Sequence, residues 1–276
     1  MKDLSIKLNE TCSYIKEKID VKPEIGLILG SGLGSLANEI EDKTIVKYEE
    51  IPNFPVSTVA GHEGQLVIGT LEGKKVIAMQ GRFHFYEGYT MQEITFPVRV
   101  MKELGVKMLL VTNACGGMDP KLYPGALMFI EDHINFTGAN PLIGPNAEDL
   151  GPRFPDMSTA YDRDLIELGR KVGEKLEIQT EKGIYTAISG PNYLSAAELR
   201  MLRRLGGDTV GMSTVPEVIV ARHTGIKVLG ISCVTDMAIA DDLEPLEHSA
   251  VVEVANKTRP KFIKLVKGIL KEASDI

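Results

Sequence analysis

Ile25-Gly26-Leu27-Ile28-Leu29-Gly30-Ser31-Gly32-Leu33-Gly34 is the stretch that decides the fold class. Its first five residues read as a strand buried on both faces, as in parallel sheets. The run stops at glycines that let backbone N–H groups converge on an anion at the start of the next helix, and Ser31 adds a hydroxyl. The glycine spacing is one residue short of the dinucleotide fingerprint G-x-G-x-x-G, and the Gly-Lys-Ser/Thr ending of a P-loop is missing. A nicotinamide-dependent oxidoreductase is therefore a poor reading.

Outward from this strand, further apolar runs recur at 66–71, 75–79, 108–112, 127–130, 184–188 and 228–234. Helical spacing marks 4–19, 91–104, 162–175, 195–205, 216–223 and 246–271, with Pro97 expected to bend or shift the second of these. The alternation predicts an α/β fold: one domain over residues 1–276, with a central mixed, largely parallel sheet flanked by helices. Residues 137–158 show no periodicity, and a loop of that length is usually functional or an interface.

Composition narrows the function classes. The 276 residues are 43% hydrophobic and 25% charged, as in ordinary globular proteins. A formal net charge of -7, with no interior basic block, argues against a nucleic acid or a membrane as the main partner. Cys12, Cys115 and Cys233 are too few and too scattered for a disulfide framework or a metal site, which fits a reducing compartment. No run approaches the roughly 18 apolar residues of a membrane span, so a cytoplasmic protein is expected.

Gly81-Arg82-Phe83-His84-Phe85-Tyr86-Glu87-Gly88 is the second informative segment. In extended conformation Arg82, His84 and Tyr86 share one face and Phe83 and Phe85 the other, an arrangement that suits a phosphate. Ligands of α/β sheets collect at the carboxyl ends of strands. Beyond the apolar runs stand Ser31, then Arg82 and His84, then 113–117, 190–193 and 211–214, and finally Thr235-Asp236. Together these make a phosphate site beside a flat apolar slot. His133 and His223 read as structural histidines, and Cys115 as an apolar lining residue without a basic partner nearby in sequence.

On these segments the chain resembles the trimeric class of purine nucleoside phosphorylases over nearly its whole length. The motifs stand in family order: 30–34, Gly61-His62-Glu63-Gly64, 81–89, Phe96-Pro97-Val98-Arg99, 111–117, Asp132-His133-Ile134-Asn135, Arg153-Phe154-Pro155-Asp156-Met157-Ser158, and Gly211-Met212-Ser213-Thr214-Val215-Pro216-Glu217-Val218-Ile219-Val220-Ala221-Arg222. The resemblance implies reversible phosphorolysis, in which inorganic phosphate is a co-substrate and no cofactor or metal is needed. It implies phosphate binding by Ser31, His62, Arg82, His84, Ser213 and the Ala114 backbone. It assigns nucleoside contacts to Tyr86, Tyr193, Met212 and His248 and places Leu194, Thr235 and Asp236 at the base site; His84 and Asp236 are the catalytic candidates, Asp236 by its own chemistry. Phe154 would close the ribose pocket of a neighbouring subunit, making a homotrimer part of the mechanism.

Two positions depart from the inosine- and guanosine-cleaving pattern. Leu194 replaces a Glu that accepts from N1–H and the 2-amino group of a 6-oxopurine, and Asp236 replaces an Asn that donates to O6. Leucine accepts nothing, and each buried donor left unmet costs about 1–3 kcal/mol. An aspartate can accept from a 6-amino group or, when protonated, donate to N7. Selectivity shifted towards adenosine is the expectation. The alternatives are an inosine/guanosine enzyme despite these changes, a methylthioadenosine phosphorylase, whose apolar 5' pocket would not suit His248, and a nucleoside-binding protein without turnover.

Overall fold

The computed structural model describes residues 2–59 and 63–273. Within those residues nine strands make one mixed sheet: β1 (Ile25–Leu29), β2 (Glu41–Lys47), β3 (Gln65–Leu71), β4 (Lys74–Gln80), β5 (Met108–Gly117), β6 (Leu127–Asn135), β7 (Thr180–Ala187), β8 (Thr209–Gly211) and β9 (Lys227–Met237). The order is β2-β3-β4-β1-β5-β8-β7-β6-β9, with β5 and β9 also paired. The strand of the opening motif is buried along its whole length and runs parallel to β4 on one side and β5 on the other. This is the environment its unbroken apolar run calls for.

β5 is long enough to change partners. Up to Cys115 it pairs in parallel with β9, while Gly116 and Gly117 also meet β8 in antiparallel register. Because β9 pairs antiparallel with β6, strands β5, β8, β7, β6 and β9 close on themselves. β1, β4, β5 and β9 all point the same way, so their carboxyl ends open onto one edge. That edge carries Ser31, Arg82, the segment 113–117 and Asp236.

Among the described residues six α-helices surround the sheet: α1 (Lys2–Lys16), α2 (Met91–Leu104), α3 (Arg163–Lys175), α4 (Ala196–Arg204), α5 (Val215–His223) and α6 (His248–Glu272). α2 packs against α1 and α5, and α6 lies on β9 and α3. α2 and α4 start with reciprocal capping boxes, Thr90 with Glu93 and Ser195 with Glu198, and α2 stops at Gly105 in left-handed conformation. The helix of α2 continues through Pro97. Among the described residues no helix is long and apolar enough to cross a membrane.

The structure corrects three local expectations. No α-helix follows the glycine turn: residues Gly34–Glu39 form a single 3-10 segment before β2 begins at Glu41, so the chain has no length for one. Extended backbone does not persist through Tyr86. After His84 the chain coils into a 3-10 turn, Phe85–Glu87, closed by Gly88 at φ 94°. β2 and β8 went unread, the first because its Glu-Asp-Lys-rich sequence lies exposed at the sheet edge, the second because three residues carry no periodicity.

Candidate active site

The carboxyl edge of the sheet opens into a cleft of about 840 Å³. Ser31 stands at its floor, directly after β1, where the turn is fixed by Gly32 at φ 75°. A Cβ on Gly32 would collide with the Cβ of Ala255, so the glycine lets the turn lie against α6. Gly30 leaves equal room, since a Cβ there would come within 2.9 Å of the Asn113 Cα on β5.

Arg82 follows β4 and is almost fully buried, at 1% exposure. Its Nε donates to Glu217 Oε1 at 2.9 Å, and its Nη1 donates to the Thr112 carbonyl at 2.6 Å and to Ser213 Oγ at 3.2 Å. Thr112 comes from β5 and Glu217 from the first turn of α5, so three elements hold one guanidinium. Ser213 sits in the turn before α5; its N–H takes the Tyr185 hydroxyl from β7 as acceptor at 3.4 Å. The neighbouring Thr214 accepts from Asn113 Nδ2 at 3.0 Å while held at φ 73°.

His84 is fixed by Glu87 three residues on. The carboxylate accepts from the His84 backbone N–H at 2.7 Å and lies 3.0 Å from ring Nδ1. Thr58 donates to the other carboxylate oxygen through both its N–H and its hydroxyl. Burial alone would raise the Glu87 carboxyl, but the hydrogen bonds from His84 and Thr58 outweigh it and hold it at about 2. Burial lowers the His84 imidazole, with Arg82 adding to that and Glu87 opposing it. The Tyr86 ring, brought back by the 3-10 turn, stacks on His84 at 4.7 Å between centroids and 16° between planes. Phe83 points away, into a cluster with Tyr48 and Phe54.

Asp236 also lines the cleft, one residue before the end of β9. Burial raises its carboxyl, a shift opposed by the hydrogen bond from Thr235 Oγ1 to Oδ1 at 2.8 Å. A Cβ on Gly116 would lie 3.1 Å from Asp236 Oδ2 and from Ala238 Cβ, so glycine keeps open the space beside the carboxyl. An apolar group also lines the cleft: Leu194, Met212 and Ala238 pack on Ile188, Leu199 and Val210. Met212 and Tyr86 converge on Gly190, whose missing Cβ would meet Met212 Sδ at 2.5 Å and Tyr86 Cδ1 at 3.3 Å. Tyr193 stands half exposed at the mouth.

The cleft thus gathers Ser31, Arg82, His84, Tyr86, Ala114, Tyr193, Leu194, Met212, Ser213, Thr235, Asp236 and His248. His248 is exposed at the first position of α6. His62 lies outside the described residues. Phe154 is not in the cleft of its own chain: it is 87% exposed, with the Arg153 guanidinium 5.6 Å from its ring. His133 meets the Tyr161 hydroxyl and His223 meets Asn146, local partners that fit structural roles. Cys115 is buried, and burial pushes its thiol up, away from a nucleophilic thiolate.

Sequence reasoning overlooked Glu87, Glu217 and the strap Asp242-Leu243-Glu244-Pro245-Leu246 that lines the cleft beside His248. Glu87 carried a signal, the three-residue spacing of a capping box after His84. Glu217 and the strap carried none: both depend on which elements the fold brings together.

The sequence pattern of the phosphorylase superfamily matches residues 24–271. Purine nucleoside phosphorylase 1 of Bacillus subtilis is 59% identical over 270 residues, 98% of each chain. Isoform 2 of the Schistosoma mansoni purine nucleoside phosphorylase, solved with cytosine and ribose-1-phosphate, superposes with a TM-score of 0.94 at 47% identity, covering 97% of this chain and 96% of that one. A second Schistosoma mansoni structure, with adenosine bound, gives 0.93 at 42% identity and 98% coverage of both chains. Further Schistosoma structures of that kind contain inosine or guanosine.

Proposed function

The chain belongs to the phosphorylase superfamily as one of the purine nucleoside phosphorylases, and on that premise we propose that it cleaves 6-aminopurine nucleosides, adenosine first, in preference to inosine and guanosine. Asp236 is the observation that carries this reading: a half-buried carboxyl of raised pKa in the same cleft that the apolar Leu194 lines. Schistosoma relatives were solved with adenosine, inosine and guanosine, which supports a shared fold that holds all three bases and a choice among them that falls to residues such as 194 and 236.

Ser31, Arg82, His84, Ser213 and Ala114, with His62, hold the phosphate. A phosphate oxygen attacks C1', the C1'–N9 bond breaks with its electron pair leaving on the base, and ribose 1-phosphate is formed. The transition state is oxocarbenium-like, so holding an anion against the sugar does most of the work. The fork of Arg82 suits an oxyanion as a lysine would not. Asp236, whose carboxyl burial raises, donates from its protonated form to N7, while its carbonyl oxygen accepts from the 6-amino group. Tyr86 and Met212 border the ribose, Tyr193 stacks on the base, Thr235 holds Asp236, and His248 meets the 5'-hydroxyl. Inorganic phosphate is a co-substrate and no cofactor enters. The exposed Phe154 supports a homotrimer in which it completes a neighbour's ribose pocket, and the composition supports a cytoplasmic enzyme.

Exchange of the two departures tests the base preference. In a Leu194→Glu/Asp236→Asn variant the ratio of kcat/KM for adenosine to that for inosine should fall by about tenfold or more, the equivalent of one to two buried hydrogen bonds. An unchanged ratio would rule this reading out.

A further inference from the structure

We propose that Glu217, which lines no part of the cleft, is the positioning residue of the phosphate site and acts through Arg82. The inference rests on the phosphorolysis reading and goes beyond it to a residue the reaction does not touch. Arg82 and Glu217 are both buried, at 1% and 3% exposure, and meet at 2.9 Å. The pair links the end of β4 to the first turn of α5, residues 135 apart in sequence. Glu217 accepts from Nε, the guanidinium nitrogen nearest the aliphatic stem, and Thr112 O and Ser213 Oγ accept from Nη1. These contacts lie on two sides of a planar group and fix its rotation about the stem, so the direction in which the guanidinium meets an oxyanion is set before phosphate arrives.

Two features separate this role from simple packing. Among the described residues nothing donates to the buried Glu217 Oε2, so this carboxylate is not placed to satisfy a local network of its own. Around it in α5, Val215, Val218, Ile219, Val220 and Ala221 are buried and apolar, surroundings that would favour a hydrophobic side chain if packing were the only demand. The same turn carries Ser213 and the positive-φ Thr214, so one helix start sets both the serine and the arginine of the site.

Position and charge can be separated by two substitutions. Glu217→Gln keeps the length and an acceptor for Nε while removing the charge; Glu217→Asp keeps the charge but withdraws the acceptor by one methylene. Dissociation constants for inorganic phosphate are measured by calorimetry on the nucleoside-free enzyme, together with KM for adenosine at saturating phosphate and far-UV circular dichroism for the fold. If Glu217 positions Arg82, Glu217→Asp weakens phosphate by about tenfold, Glu217→Gln by less, and the adenosine KM stays within about twofold in both. The reverse order, with Gln the more damaging, would make charge the contribution and overturn the positioning role. Equal losses in phosphate affinity and adenosine KM, or folded variants with unchanged phosphate affinity, would overturn it as well. Failure of the unaltered enzyme to bind phosphate would instead strike the phosphorolysis reading, so the two failures are distinguishable.

Discussion

Asp236 is where the chemistry and the titration of this chain meet. Burial favours its neutral form, so its pKa in the folded chain lies above the ordinary 3.8. A raised folded pKa contributes stability that is complete below the unfolded value and is lost as pH rises through the folded one. Asp236→Asn should therefore melt higher than the unaltered protein at pH 7.5, and the gap should close at pH 4 in thermal scans. If Asp236 acts as the proposed acid, kcat/KM for adenosine should decline as pH rises through its pKa, and the Asn variant should lose that limb. Arg82 and His84 were legible in sequence because they follow a strand, and Asp236 because it stands at the carboxyl end of one, at the edge where α/β sheets bind ligands. Glu217 and Glu87 were not, since a carboxylate in sequence looks the same whether it faces water or a buried cation.

Elements were legible where their periodicity was strong and their burial uniform. β1 falls where its apolar run placed it, and α2, with a capping box at one end and a left-handed glycine at the other, matches residue for residue. β2 escaped because an edge strand need not be apolar, and the 3-10 segment after Gly34 because glycine spacing says where a helix can begin and not whether there is room for one. That turn is tested at Gly32. Its φ of 75° and its contact with Ala255 mean that Gly32→Ala adds both backbone strain and a clash. The substitution should lower stability by about 1–3 kcal/mol and, by shifting Ser31, weaken phosphate more than adenosine. Denaturant unfolding and the two KM values check it, and a neutral outcome would show that the turn does not set Ser31.

Across the whole molecule, β5 joins the sheet to its closed end: it pairs with β1, β8 and β9 and carries Asn113 and Gly116 into the cleft that Arg82, Ser213 and Asp236 line. An alternating α/β pattern foretold parallel strands flanked by helices but not this closure, which depends on non-local pairing of β6 with β9. Assembly is the other property a single chain does not display. Phe154 and Ile143, both well exposed in the long irregular loop, form the face that the proposed trimer would cover. Sedimentation of a fully active monomer would remove the neighbour's part in the ribose pocket. The account as a whole rests on base release from adenosine, methylthioadenosine, inosine and guanosine, each with and without inorganic phosphate, the products separated by chromatography. Phosphate-dependent release led by adenosine, with ribose 1-phosphate as the second product, is the predicted result; release led by inosine or guanosine would contradict the base assignment, and cleavage that ignores phosphate would contradict the reaction itself.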